Sequence, residues 1–234
     1  MVFDDPNKFT QEKFYEEKEI LESAGIAKPL AKPVDNPSRR FLLETAQSAK
    51  DASVLVREAW EKYHSPVDYG ITGLDLPKVA ALIAAGMPTR LYYTSYRNNA
   101  FDTHVYQNDT HKRLLTYASD AVSAFLADLE RMGRADDVVV IIFSEFGRRV
   151  PENVNLGTDH GAANLMFVAG KQVKGGQYGS IPSLTKLDPG DNLIHTTDFR
   201  RVYATMIDGW LGLHDTRQLL NGDFETFQMF QQKA

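Results

Sequence analysis

Apolar residues in this chain fall into two kinds of pattern. Where they recur every three or four positions they predict helices. The first runs from Thr10 to Ala24, with a thin face of Phe14, Ile20 and Leu21 and a stop at Gly25. A long one begins at Ser38 as its cap and reaches about Tyr63, with Phe41, Leu42, Ala46, Ala49, Val54 and Ala59 on one stripe. Leu76 to Ala85 is short, alanine-rich and ended by Gly86; Asp109 to Met132 buries Leu114, Leu115, Ala118, Val122, Phe125, Leu126 and Leu129 and stops at Gly133. A last helix, capped by Thr196 or Thr197 with Asp198 in its first turn, turns Val202, Met206, Ile207 and Trp210 inward and closes at Gly212.

Where apolar, β-branched and aromatic residues run on without a helical period they predict strands: Thr89 to Tyr96, Val138 to Phe143 and Leu165 to Ala169. The unbroken character of the last two is that of strands covered on both faces, as in a parallel sheet flanked by helices. The succession of helix, strand, helix, strand, strand and helix therefore predicts an α/β fold with a mainly parallel sheet. Between these elements, Ala27 to Pro37 carries three prolines and reads as an extended connector, and the glycine-rich stretch after Ala169 as a hairpin or loop. Its glycines lack the spacing and strand-to-helix context of a phosphate cradle. The tail, with Phe224, Phe227, Met229 and Phe230, is expected to pack rather than dangle. We expect a helical extension and connector over 1–37 and a single domain over 38–234. Sheets of this kind normally open on a strand, and this chain opens on two helices, which leads us to expect that a first portion is missing.

Composition narrows the function classes. The 234 residues are 43% hydrophobic and 24% charged, as in an ordinary globular protein. A formal charge of -5 excludes a nucleic-acid binder that works through a basic face. With no cysteine, thiolate metal sites, disulfides and a cysteine nucleophile are excluded, and any metal is left to His, Asp or Glu. The start, M-V-F-D-D-P-N-K-F, lacks the basic-then-apolar pattern of a signal peptide, and no apolar run approaches the roughly 20 residues that span a bilayer.

Three polar clusters follow predicted strands: Asp102 with His104, Glu145 with Arg148 and Arg149, and Asp159 with His160. The ends of neighbouring parallel strands lie side by side, so clusters remote in sequence can share one pocket. Asp102 and His104, two apart on an extended loop, can both turn toward one ion. Imidazole with carboxylate favours zinc, manganese or iron over calcium. A plainer reading stays open, in which Glu145 pairs with Arg148 or Arg149 to tie down a loop and His160 is a turn residue. His111, near the start of a long helix, is expected to be solvated.

Four motifs, N-A-F-D-T-H, S-E-F-G-R-R, G-T-D-H-G-A-A and G-K-Q-V-K-G-G-Q-Y-G, in this order and spacing, resemble the carboxy-terminal half of the bacterial family called domain of unknown function fifteen-hundred-and-one. The resemblance covers roughly Ser38 to Phe230. That family is related to the alkaline phosphatase and sulfatase superfamily, which implies a three-layer α/β/α fold, here without its amino-terminal part, and hydrolysis of phosphate or sulfate esters. By the same resemblance the expected metal ligands are Asp102, His104, His160 and Glu145, the last standing where the superfamily has an Asp-His pair, and Glu145, Arg148 and Arg149 are the expected catalytic residues. Phe146 follows Glu145 and cannot ligate, which removes a ligand from any second metal. Arg148 or Arg149 would balance charge on an anionic small molecule or polysaccharide, around a divalent ion expected to be zinc or manganese. The resemblance also implies an exported or periplasmic protein. No counterpart of the superfamily's Ser or Thr nucleophile is found, so the chain alone is expected to turn over little ester. The alternative is a non-catalytic binding or structural module.

Overall fold

The computed structural model describes residues 37–96 and 99–231. The helix expected over Thr10 to Ala24 and the connector ahead of Pro37 lie outside them. The described residues form two compact units, one running up to Tyr69 and including Gly73–Thr94, the other comprising Gly70–Thr72 and the residues from Ser95 on.

In the first unit, helix α1 (Pro37–Lys62) starts on a proline, whose missing N–H is one that the first turn leaves unpaired in any case. Of its predicted stripe only Ala59 is buried: Phe41, Leu42 and Val54 stand exposed and Ala46 and Ala49 are half-buried, and the enclosed residues beside Ala59 are Ser53 and Val56, which the stripe did not include. Helix α2 (Leu76–Ala84) is apolar over most of its surface and buries Leu76, Val79, Ala80, Ala81, Leu82 and Ile83. The two helices pack through Val56, Ala59 and Leu82, with Met87 and Tyr92 against them. That contact corrects one expectation: Thr89 to Tyr96 is extended but pairs with no strand among the described residues. Its tyrosine at 92 packs on the helices, while Leu91 and Tyr93 face outward.

The second unit is built on helix α3 (Gln107–Arg131), which Gly133 ends at φ 68. Ala121, Ala124, Phe125, Asp128 and Leu129 are its buried face. Asp128 is fully enclosed and pairs with Arg131 at 2.8 Å. Four short strands follow: β1 (Val140–Ile142), β2 (Gly147–Arg148), β3 (His160–Gly161) and β4 (Phe167–Ala169). Helix α4 (Arg200–Thr205) continues into one π-helical stretch at Met206–Trp210, and α5 (Arg217–Leu220) is a single turn.

The three-layer α/β/α fold with a mainly parallel sheet is not what these residues form. There are two small antiparallel ladders, β1 with β4 and β2 with β3, among five helices. Parallel pairing requires a long crossover, usually helical, between strands. The connection from Phe143 to Phe167 holds no helix, only the β2–β3 ladder and turns, so β4 returns beside β1 in the opposite direction. Neither apolar run is covered on both faces: Ile142, Phe143, Leu165 and Phe167 are all exposed. Unbroken apolar sequence marks a preference for extended backbone and says nothing of the partner's direction. No helix among the described residues is long and apolar enough to cross a membrane.

Candidate metal centre

The β2–β3 ladder places one candidate ligand, His160. It pairs Gly147 with Gly161 and Arg148 with His160, and at Gly147 an added Cβ would lie 1.7 Å from the Ala163 carbonyl oxygen. A side chain there would push the strands apart. The other ligands stand on the loop that enters α3. The N–H groups of Tyr106 and Gln107 at that entry donate to the carbonyls of Asn155 and Leu156 at 2.9 and 3.0 Å, which answers donors a helix start leaves unpaired. Asn153 Nδ2 donates to the His104 carbonyl, Gln107 Nε2 to Thr103, and the Thr158 hydroxyl to Gln107 Oε1. Two segments remote in sequence are thereby tied into one surface.

On that surface Asp102, His104 and His160 meet. Asp102 Oδ1 lies 2.9 Å from His104 Nε2 and 2.7 Å from His160 Nε2, and the two nitrogens are 3.0 Å apart. These atoms can hold a metal ion. With neither Nε2 protonated, three lone pairs face one point, an arrangement that a cation would complete. The chemistry of the donors fits a cation, and the tautomer that offers both Nε2 lone pairs carries its proton on Nδ1. His104 Nδ1 lies 3.7 Å from Asp159 Oδ1, a carboxylate placed to favour that proton. Hydrogen bonding to His160, and then to His104, holds the Asp102 carboxyl below its ordinary value against the effect of desolvation.

Aromatic and cationic groups back the trio. Phe146 stacks on the His160 ring at 3.7 Å and 13°. The Arg148 guanidinium lies 5.0 Å from the Phe146 centroid. Arg148 Nη1 donates to the Thr158 carbonyl at 2.6 Å and Nη2 to that of Phe101 at 2.7 Å. Burial pulls Arg148 below the ordinary arginine value, opposed by the charges of Asp102 and Asp159. Glu145 is not part of the ligand trio; it is exposed and accepts a hydrogen bond from the Ser144 hydroxyl at 3.2 Å. Arg149 is exposed, donates its backbone N–H to Asp159 and helps to lower the pKa of Asp188.

The plainer reading of these residues does not describe this surface. Among the described residues Glu145 makes no ion pair with Arg148 or Arg149, and His160 is a strand residue in the trio. Three contributions were not expected. Asp159 reaches His104 rather than an ion shared with its neighbour His160, because successive side chains of an extended segment point to opposite sides. Phe146, which cannot ligate, stacks flat on the His160 ring. His111 is half-buried, edge-on to Phe101 at 5.5 Å, and Nδ1 is buried with no hydrogen-bond partner. Desolvation first, and then the charge of Arg148, lowers its pKa. The nearness of Asp102 to His104 was legible from spacing, but nothing local in the sequence marks what stands behind the pair.

Residues 85–221 match the model of a family described as "Protein of unknown function (DUF1501)". No curated protein and no solved structure matches the chain. The family match spans more than half of the chain, and the Asp102 loop, both β-ladders and the start of the last helical region lie within it: the chain belongs to this family, Protein of unknown function (DUF1501).

Proposed function

We propose that this chain binds one divalent ion through Asp102, His104 and His160 and belongs to a metal-dependent hydrolase of phosphate or sulfate esters. The observation that carries the reading is the convergence of three donor atoms within 3.0 Å of one another, from segments 56 to 58 residues apart. Two imidazoles and one carboxylate favour zinc or manganese over calcium. All three side chains are partly exposed, so the protein leaves one side of the centre open to an anionic substrate. When bound, such an ion supplies Lewis acidity to an ester oxygen. The residues of the chain orient the donors: the Asp159 carboxylate, 3.7 Å from His104 Nδ1, favours a proton on that nitrogen, and Phe146 stacks on the ring of His160. The related alkaline phosphatase and sulfatase superfamily, indicated by the four sequence motifs, supports an anionic ester as substrate.

A second reading, a metal-binding module without catalysis, is favoured by the hydroxyls around the centre. Ser144 donates to Glu145, Thr158 donates to Gln107, and Thr103 accepts from Gln107, so each of these hydroxyls is engaged with a neighbouring side chain. Turnover would have to rely on water. Metal analysis of the reconstituted protein, beside His104→Ala, tests the common part: we expect about one zinc or manganese per chain, lost in the variant. A content far below one in the native chain would sink both readings. Nitrophenyl phosphate and nitrophenyl sulfate then separate them. Turnover that tracks metal content assigns hydrolysis, and full metal uptake with only background turnover assigns the module. From the engaged hydroxyls we expect turnover to be slight.

A further inference from the structure

We infer that Arg148 is a positioning residue of the metal centre, acting through the main chain that carries the ligands; this rests on the metal reading above. Its Nη2 bonds the carbonyl of Phe101, immediately before Asp102, and its Nη1 bonds the carbonyl of Thr158, two residues before His160. One planar fork therefore spans both ligand-bearing segments, whose sequence separation from Arg148 is 47 residues on one side and 10 on the other. The same guanidinium lies against Phe146, and Phe146 lies flat on His160. Arg148 thus sets three things at once: where the Asp102 loop sits, where the His160 strand sits, and how the His160 ring is turned.

The chemistry of the fork matters more than the charge. A guanidinium presents its donors in one rigid plane, so two carbonyls on different segments are held at a defined separation, and its flat face suits an aromatic neighbour. A lysine ammonium keeps the charge but cannot reproduce either feature. With Nη1 and Nη2 committed to backbone carbonyls, Arg148 serves the geometry of the ligands before it serves any bound anion. This differs from a charge-balancing role, and the two roles give different results on substitution.

The test is calorimetric titration of zinc into the full chain, comparing the native protein with Arg148→Lys and Arg148→Met, alongside thermal melts and the visible absorption of the cobalt-loaded proteins. We expect zinc affinity to fall about 10- to 100-fold in both variants, the loss usual for residues that orient metal ligands. Lysine should fail to rescue, and the cobalt bands should change in shape in both variants. Arg148→Lys binding zinc within about threefold of the native protein, with an unaltered cobalt spectrum, would overturn the inference by showing that charge suffices. Should Arg148→Met not fold, the lysine variant decides alone. A native chain that takes up no zinc overturns the metal reading and this inference together, whereas native binding with an unaffected lysine variant overturns only this one.

Discussion

At Gly157 the chain has no room for a side chain: a Cβ would stand 2.3 Å from the His104 carbonyl oxygen and 2.5 Å from its carbon. The obstruction is backbone, which cannot swing aside as the end of a flexible side chain can. Gly157 also donates its N–H to Asn153 Oδ1, and Asn153 Nδ2 in turn reaches both the His104 carbonyl and Asp159. Gly157→Ala should therefore displace His104 from its two partners. We expect a weakened zinc isotherm together with a lower melting temperature. A variant that melts and binds like the native chain would show that the loop yields freely at this point. The motif G-T-D-H-G thus contains a candidate ligand, a carboxylate beside another candidate and a glycine that admits the second segment.

Among the elements, α4 shows how one buried polar group can anchor a remote segment. Thr205 is 1% exposed; its hydroxyl donates to the Arg201 carbonyl at 2.7 Å and accepts from the Phe227 N–H at 2.8 Å. Around it the tail is held by further contacts. Arg200 lies over Phe224, Arg201 lies over Phe227, and Lys174 N and Gln231 N bond the carbonyls of Met229 and Gln172. Met229 is buried, so the expectation of a packed tail is met. Thr205→Val keeps the volume but leaves the Phe227 N–H without its acceptor. An unsatisfied buried donor costs about 1–3 kcal/mol, and we expect a loss of stability of that order in denaturant titrations. Hydrogen exchange at Phe227 should rise in parallel. Unchanged exchange there would mean that the aromatic contacts alone retain the tail.

For the molecule as a whole, one part of its acid sensitivity can be traced to the Asp198–Arg200 pair. The Arg200 side chain, helped by its backbone N–H and its charge and opposed by desolvation, holds the Asp198 carboxyl down to about 2. An unfolded aspartate titrates near 3.9, so between these values the unfolded chain binds the additional proton. The stability Asp198 contributes is therefore fully present above about pH 4 and is lost as pH falls toward 2. Melting curves of native protein and Asp198→Asn should differ most above pH 4 and converge toward pH 2. A difference that stays constant across that range would assign the effect to packing rather than to ionisation. The contribution is modest, because the pair is partly exposed and screened by solvent.

Helix positions were legible in the sequence because a helix depends on near neighbours: α1, α2 and α3 lie within a residue or two of where spacing and glycine stops put them. Two metal-ligand candidates two residues apart, Asp102 and His104, were legible for the same reason. Strand partners were not. Val138 to Phe143 and Leu165 to Ala169 announced extended backbone, but the direction of pairing and the exposure of Ile142 and Phe167 depend on what lies across the ladder, and no local pattern encodes that. The division of labour at the centre was equally hidden. Arg148 reads in sequence as a cation ready for an anion, and only the tertiary arrangement brings the carbonyls of Phe101 and Thr158 within reach of its nitrogens. Composition and periodicity thus determine which segments coil and which residue types can ligate. The convergence of His160 on Asp102 and His104, with Phe146 and Arg148 behind it, was decided by tertiary structure, because it depends on chain closure over tens of residues.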